Sequence, residues 1–281
     1  MITATVVPAG PYSLRLTARS ATWQARLPGG RSASAVQVDD GRVVIRASDE
    51  AAVEQARFLL ALDEDTSEFH RRFSADPLLG PSTRALRGLR PLRKATVAHA
   101  ALRAVAGQLV QAGKARAIER AVIRACGVDP PTQHALASLS AAELVSCGLA
   151  ASRAATLARL VRELDLESLR EQETSVALAR LARVRGVGPW SVGVIALRGL
   201  GRYDVGLVGD LGLVKLLAAL RGRWPEPGET AVLLEPYGEW QGLASVFLLA
   251  GLKRRLVPGA DLDRARSVRA GSAGRAAPES M

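Results

Sequence analysis

The sequence predicts an α+β protein that is mainly α-helical and carries a small strand-rich N-terminal domain. Three observations predict it. Apolar and polar residues alternate with period two up to about residue 47, apolar residues recur at helical spacing from Thr66 onward, and Asp63-Glu64-Asp65 separates the two regimes. With 281 residues, 48% of them hydrophobic, the chain has length for one large or two modest domains and apolar surface for packed cores.

In the N-terminal part, Tyr12, Leu14 and Leu16 alternate with polar neighbours, as do Trp23, Ala25 and Leu27; Val36, Val38 and residues 43–45 follow. Pro28-Gly29-Gly30 and Asp39-Asp40-Gly41 punctuate these runs, the pattern of antiparallel strands joined by turns. Ser48 or Asp49 is placed to cap a helix running to about Leu62, which closes an N-terminal domain of residues 1–65. Thr96 opens a long amphipathic helix with Val97, Ala101, Ala104, Val105 and Leu109 on its apolar positions. Further helices are expected over 113–126, 141–145, 151–164, 175–184, 189–197, 211–220, 229–237 and 240–252, within a helical domain of residues 66–257. Beyond Pro258 large apolar residues are few, so 258–281 is expected to be a disordered tail.

The formal net charge is +11, from 38 basic and 27 acidic side chains. Residues 1–65 hold seven Arg against eight acids, whereas 71–120 hold eleven basic residues against Asp76 and Glu119 alone. A near-neutral segment followed by a basic one points to a polyanion-binding body with an appended neutral domain. The longest near-continuous apolar run, residues 243–252, is too short to span a bilayer, and Met1 to Gly10 shows no secretory signal. Cys126 and Cys147 are too few for a disulfide framework or an iron–sulfur cluster, and His70, His99 and His134 lie scattered without metal-ligand spacing. A cytoplasmic protein with no metal, cofactor or membrane partner is the expectation.

The most informative segment is Leu181-Ala182-Arg183-Val184-Arg185-Gly186-Val187-Gly188-Pro189-Trp190-Ser191-Val192. An amphipathic helix ends at the Gly-Val-Gly hairpin, and Pro189 falls in the first turn of the next helix, where its missing N–H is no loss. The glycines permit positive φ and close approach of an external group, and the N–H groups at the helix start favour an anion such as a phosphate. Taken alone, a Gly-Val-Gly also fits an ordinary tight turn. Twenty residues after Trp190, Asp210 stands in Gly209-Asp210-Leu211-Gly212, ahead of an apolar helix. Alone, it reads as an N-cap as readily as a catalyst, and nearby Asp204 is assigned to capping or turn formation.

Together, the hairpin and the Gly-Asp-Leu-Gly segment at this distance resemble the helix–hairpin–helix DNA glycosylase superfamily, and within it the AlkA-type DNA-3-methyladenine glycosylase II branch. Val105-Ala106-Gly107-Gln108-Leu109-Val110 is similar to that branch's wedge segment, and Gly148-Leu149 followed by Arg153 and Ala154 matches a family turn. The resemblance covers residues 66–255. It implies that Asp210 is catalytic and that Arg185, Gly186, Val187, Gly188, Pro189 and Ser191 hold the DNA backbone. It further implies Leu109 as the wedge that fills the stack, against the plain alternative of a core leucine, with Gln108 beside it facing the opposite strand. Lys114 and Arg116 are the first candidates for nearby phosphate contacts, and Trp190, Trp240 and Tyr237 for the base pocket.

Bifunctional members of the superfamily place a lysine where this chain has Trp190. Without that amine no Schiff base forms, so the resemblance implies hydrolysis without strand cleavage. The expected function is excision of alkylated bases, such as 3-methyladenine or 7-methylguanine, from double-stranded DNA by a nucleoid-associated monomer. Two alternatives stay open: a glycosylase for deaminated or etheno bases, and a non-catalytic DNA-binding paralogue, which gains nothing from Asp210.

Overall fold

The computed structural model describes residues 1–108, 110–261, 263–265, 267 and 269. These form two compact units, Met1–Thr66 with Gly88–Arg202, and Ser67–Arg87 with the chain from Tyr203 onward. The first unit begins with β1 (Ile2–Val6), α1 (Leu14–Ala18), β2 (Thr22–Arg26), β3 (Ser32–Gln37), β4 (Val43–Ala47) and α2 (Glu50–Leu60). Helices α3 (Ser67–Phe73) and α4 (Gly80–Ala85) belong to the second unit. The first resumes with α5 (Val97–Gly107), α6 (Ala112–Cys126), α7 (Gln133–Ala137), α8 (Ala141–Ser146), α9 (Ala151–Glu163), α10 (Thr174–Arg183) and α11 (Pro189–Ile195). The second unit is completed by α12 (Leu211–Arg221), α13 (Glu229–Leu234) and α14 (Gln241–Lys253). Among the described residues, no helix is long and apolar enough to cross a membrane.

The four strands form one antiparallel sheet in the order β1-β4-β3-β2. Registers Trp23↔Ala35 and Ala35↔Ile45 put these side chains on one face. They pack with Leu14, Leu27 and Val43 against Ala52, Val53, Ala56, Leu59 and Leu60 of α2. Asp49 caps α2, its carboxylate accepting from Ala52 N–H at 2.8 Å.

The first expected strand is corrected. Tyr12, Leu14 and Leu16 alternate, yet Ser13 Oγ accepts from Leu16 N–H and starts α1, which buries Leu14 and Thr17 at a helical spacing of three. The sheet's first strand is β1, an edge strand paired only with β4 and mostly exposed, so it carries little apolar pattern to read.

Helix α5 is the centre of the first unit's helical part and is buried nearly all round. Thr96 Oγ1 accepts from His99 N–H at 2.9 Å, and the Glu167 carboxylate accepts from Val97 and Ala98 N–H at 3.0 and 3.1 Å. On its flank, Glu119 of α6 receives Lys94 Nζ at 2.6 Å and His99 Nε2 at 2.9 Å, with Arg103 Nη1 at 3.7 Å. Burial alone would raise the Glu119 carboxyl, but the His99 hydrogen bond and the Lys94 charge outweigh it and hold the pKa down to about 2. Burial also lowers His99.

A carboxylate depressed below its ordinary 4.5 contributes stability that is present above that value and lost as pH falls toward 2. Glu119→Gln leaves the surrounding cations uncompensated. It is expected to cost about 3–5 kcal/mol at neutral pH and to flatten the decline of stability between pH 4.5 and 2. Urea unfolding across that range checks both effects.

In the second unit, α12 and α14 pack closely because Gly212 faces Leu249: a Cβ there would lie 2.4 Å from Leu249 Cδ2. The expectation of disorder from 258 is corrected in part. Residues 263–265 are helical, and Ala265, 2% exposed, packs with Ala218 and Ala219 beside Trp224. Small residues give that packing no large apolar signal in the sequence.

Candidate nucleic-acid interface and catalytic carboxylate

Helix α10 ends at Arg183, and Val187 N–H returns to Val184 O at 3.0 Å to close the hairpin. Gly186 has φ +95, and a Cβ there would lie 2.1 Å from Thr156 Oγ1 on α9, so conformation and space both demand glycine. Gly188 differs from the expectation that both glycines serve positive φ. It is extended at φ −93, ψ 177, and a Cβ would meet nothing within 4 Å. Its contribution is an open surface in front of α11. It occupies the N-cap position without a side-chain cap, and Pro189 begins the helix.

Arg185, Gly186, Gly188 and Pro189 are exposed. Val187 is 7% exposed and Ser191 2%, so both side chains are buried, in keeping with an expected role for this hairpin that rests mostly on its backbone N–H groups. Helix geometry leaves the first-turn N–H groups of α11 without intrahelical acceptors, and the dipole adds partial positive charge there.

The hairpin is held from behind. Arg159 Nη1 donates to Arg185 O at 2.9 Å. Gln108 Nε2 donates to Gly186 O at 3.0 Å and to Ser191 Oγ at 2.9 Å. The structure therefore turns the Gln108 amide onto the hairpin, where an outward-facing side chain was expected. Trp190 is half-buried, and a Cβ on Gly107 would lie 2.7 Å from its Cη2, so its ring edge packs on the end of α5. Leu109, the expected wedge, lies outside the described residues. Lys114 and Arg116 are exposed on the first turns of α6, flanking buried Ala115.

In the second unit, Gly209 turns the chain at φ +82 and its N–H donates to Thr230 Oγ1 at 2.7 Å. Asp210 follows as the N-cap of α12: Oδ1 accepts from Gly212 N–H at 2.7 Å. The carboxylate is half-buried and held in place at the start of α12. Capping and catalysis are thus compatible roles. Asp204 is exposed in a bend.

Tyr237 is 3% exposed, stacked edge-on to Phe73 at 5.3 Å and hydrogen-bonded to Asp76; burial first, then the Asp76 charge, pushes its hydroxyl pKa up. Its expected place in a base pocket is corrected to the aromatic core. Trp240 is half-buried, 5.8 Å from Phe69 and 6.3 Å from Tyr203 between ring centroids. Arg159 and Thr156 were missed from sequence, because an Arg and a Thr on an amphipathic helix give no local sign of a partner some 30 residues away. Among the described residues, no group of three or more His, Cys, Asp or Glu side chains is placed to hold a metal ion.

A helical body with a Gly-Val-Gly hairpin between two helices, a capping Asp beyond it and a small antiparallel sheet defines a helix–hairpin–helix glycosylase fold. No family model matches the chain. In sequence it is 26% identical over 229 residues to the DNA-3-methyladenine glycosylase of Bacillus subtilis, covering 75% of each chain. Its fold is similar to the 3-methyladenine DNA glycosylase of Archaeoglobus fulgidus, with a TM-score of 0.77 and 18% identity over 89% of this chain and 98% of that one. It is also similar to the 8-oxoguanine glycosylase/lyase of Clostridium acetobutylicum, with a TM-score of 0.68 and 19% identity over 88% and 95%. In sequence and in fold the chain is thus similar to DNA glycosylases of the helix–hairpin–helix kind.

Proposed function

We propose that this chain is a monofunctional DNA glycosylase that removes alkylated bases, of the 3-methyladenine and 7-methylguanine kind, from duplex DNA in base excision repair. The observation that carries the reading is Asp210: a half-buried carboxylate fixed through Gly212 N–H at the start of α12. Similarity to a relative named for 3-methyladenine favours alkylated over deaminated or etheno bases.

Breaking the N-glycosidic bond develops positive charge on the deoxyribose, as in oxocarbenium-like glycoside hydrolysis. Asp210 stabilises that charge and orients or deprotonates the attacking water. A base alkylated at N3 or N7 is already cationic and leaves without a strong general acid, so one carboxylate suffices. The base must first leave the stack, at a few kcal/mol, and the first-turn N–H groups of α11 hold one backbone phosphate meanwhile. Trp190 occupies the position of the lyase lysine and offers no amine. The enzyme acts as a nucleoid-associated monomer with no cofactor.

A base-release assay on randomly methylated DNA, with chromatographic identification of the freed bases, tests the reading. Methylated purines are expected in the soluble fraction, and borohydride is expected to trap no covalent complex. Trapping would assign a lyase, and release of hypoxanthine or ethenoadenine alone would assign the other substrate class.

Exposed cations supply diffuse contacts. Each phosphate neutralised on duplex DNA contributes roughly −0.9 to the slope of log affinity against log salt. Replacing Lys114 or Arg116 with Gln is expected to reduce the slope by about one, weakening damaged and undamaged DNA alike, because phosphate contacts position without specifying. Fluorescence anisotropy across salt concentrations measures it.

A further inference from the structure

We infer that Gln108 is a positioning residue that locks the end of α5 to the hairpin, so that the two act on DNA as one piece. This rests on the proposed DNA-binding role of the hairpin. The amide nitrogen of Gln108 has two hydrogens, and the structure uses both: one meets Gly186 O at 3.0 Å, the other Ser191 Oγ at 2.9 Å. These acceptors lie on either side of Gly188, one in the turn and one in the first turn of α11. Bridging them fixes the direction in which the start of α11 faces. Ser191, 2% exposed, has no route to solvent that would replace this donor.

Neighbouring contacts make the same joint. Gly107, one residue earlier, leaves room for the Trp190 ring edge, and a Cβ there would come within 2.7 Å. Arg159 takes the adjacent carbonyl of Arg185 from the other side. Two successive hairpin carbonyls are thus tied to side chains of two different helical segments. Gly186 O is open to water, but the buried Ser191 Oγ would stay desolvated on losing this donor, so opening the joint there strains the start of α11. Chain leaving α5 at Gln108 and phosphate held in front of α11 are therefore linked mechanically.

Gln108→Met keeps length and removes both donors. It is expected to weaken binding to undamaged duplex by roughly tenfold, about the net worth of two hydrogen bonds. The loss should be the same whichever base stands opposite a lesion. Ser191→Ala is expected to weaken binding less, and the double variant to lose less than the two separate losses combined, because both single changes break one shared contact. Base release at saturating enzyme should change far less than affinity, a split that general destabilisation would not give; melting curves monitor the fold. Undamaged-duplex affinity at wild-type level, or a loss that varies with the opposite base, would overturn the proposal and make Gln108 a direct base contact. Binding to undamaged DNA is read without any base release, so these outcomes stand apart from failure of the glycosylase reading, which would appear as an inactive wild-type protein.

Discussion

Asp210→Asn is expected to lower base release by at least about a hundredfold while DNA affinity and melting temperature stay near wild type. A carboxylate about 4 Å from a developing cation contributes about 4 kcal/mol at an effective dielectric near 20, or roughly three decades of rate. The substitution separates chemistry from structure because the side-chain oxygen of Asn can still accept from Gly212 N–H, and Asn is among the best N-cap residues. Asp210→Ala removes both roles and should add a stability loss of about 1 kcal/mol. Single-turnover release, lesion affinity and a melting curve are the three measurements. Release by the Asn variant at near the wild-type rate would move the chemistry elsewhere, with exposed Asp204 next in line.

Gly188→Asp is expected to abolish productive DNA binding with the fold intact, whereas Gly186→Ala is expected to damage the fold itself. The two glycines stand two residues apart and differ in what surrounds them. At Gly188 the backbone is extended and a side chain meets open space. Aspartate is also a favourable N-cap for α11, which has no side-chain cap, so the melting temperature should hold or rise. Its charge, however, would face the phosphate that the helix start attracts. At Gly186 the methyl group meets Thr156 at 2.1 Å in a left-handed backbone, a strain of about 1–3 kcal/mol before the clash is counted. Duplex affinity, its salt slope and thermal unfolding distinguish the pair. Unchanged affinity and slope in Gly188→Asp would reduce the hairpin to a structural turn and leave the proposed function without its anchor.

What the chain discloses locally, it discloses well. Thr96, Asp49 and Asp210 each announce a helix start because a cap is written in one residue and the periodicity after it. The Gly-Val-Gly turn is equally visible, since glycine at φ +95 is a local demand. What failed was set by partners far along the chain. Tyr12 to Leu16 alternates like a strand, yet the Ser13 cap makes it helical. Tyr237 could serve a pocket or a core on pattern alone, and Phe73 with Asp76 decides for the core. The direction of Gln108 depends on Gly186 and Ser191, which no reading of the 105–110 segment contains.

Arg90 bears on how the chain comes to be folded during its synthesis. It is 1% exposed, and its guanidinium donates to the carbonyls of Ala9, Pro11 and Ala61 while lying 5.0 Å from the centre of the Tyr12 ring. Ala95 is part of the sheet's core and Leu92 packs against it. The four strands and α2 all precede residue 61, yet the groups that close their core arrive some thirty residues later. Domains emerging from the ribosome generally fold N-terminal first, but here the carbonyls of Ala9, Pro11 and Ala61 exchange water for their buried donor only once Arg90 has been made and has left the exit tunnel. A chain that ends at residue 65 lacks Arg90, Leu92 and Ala95, and with them part of what closes the sheet's core.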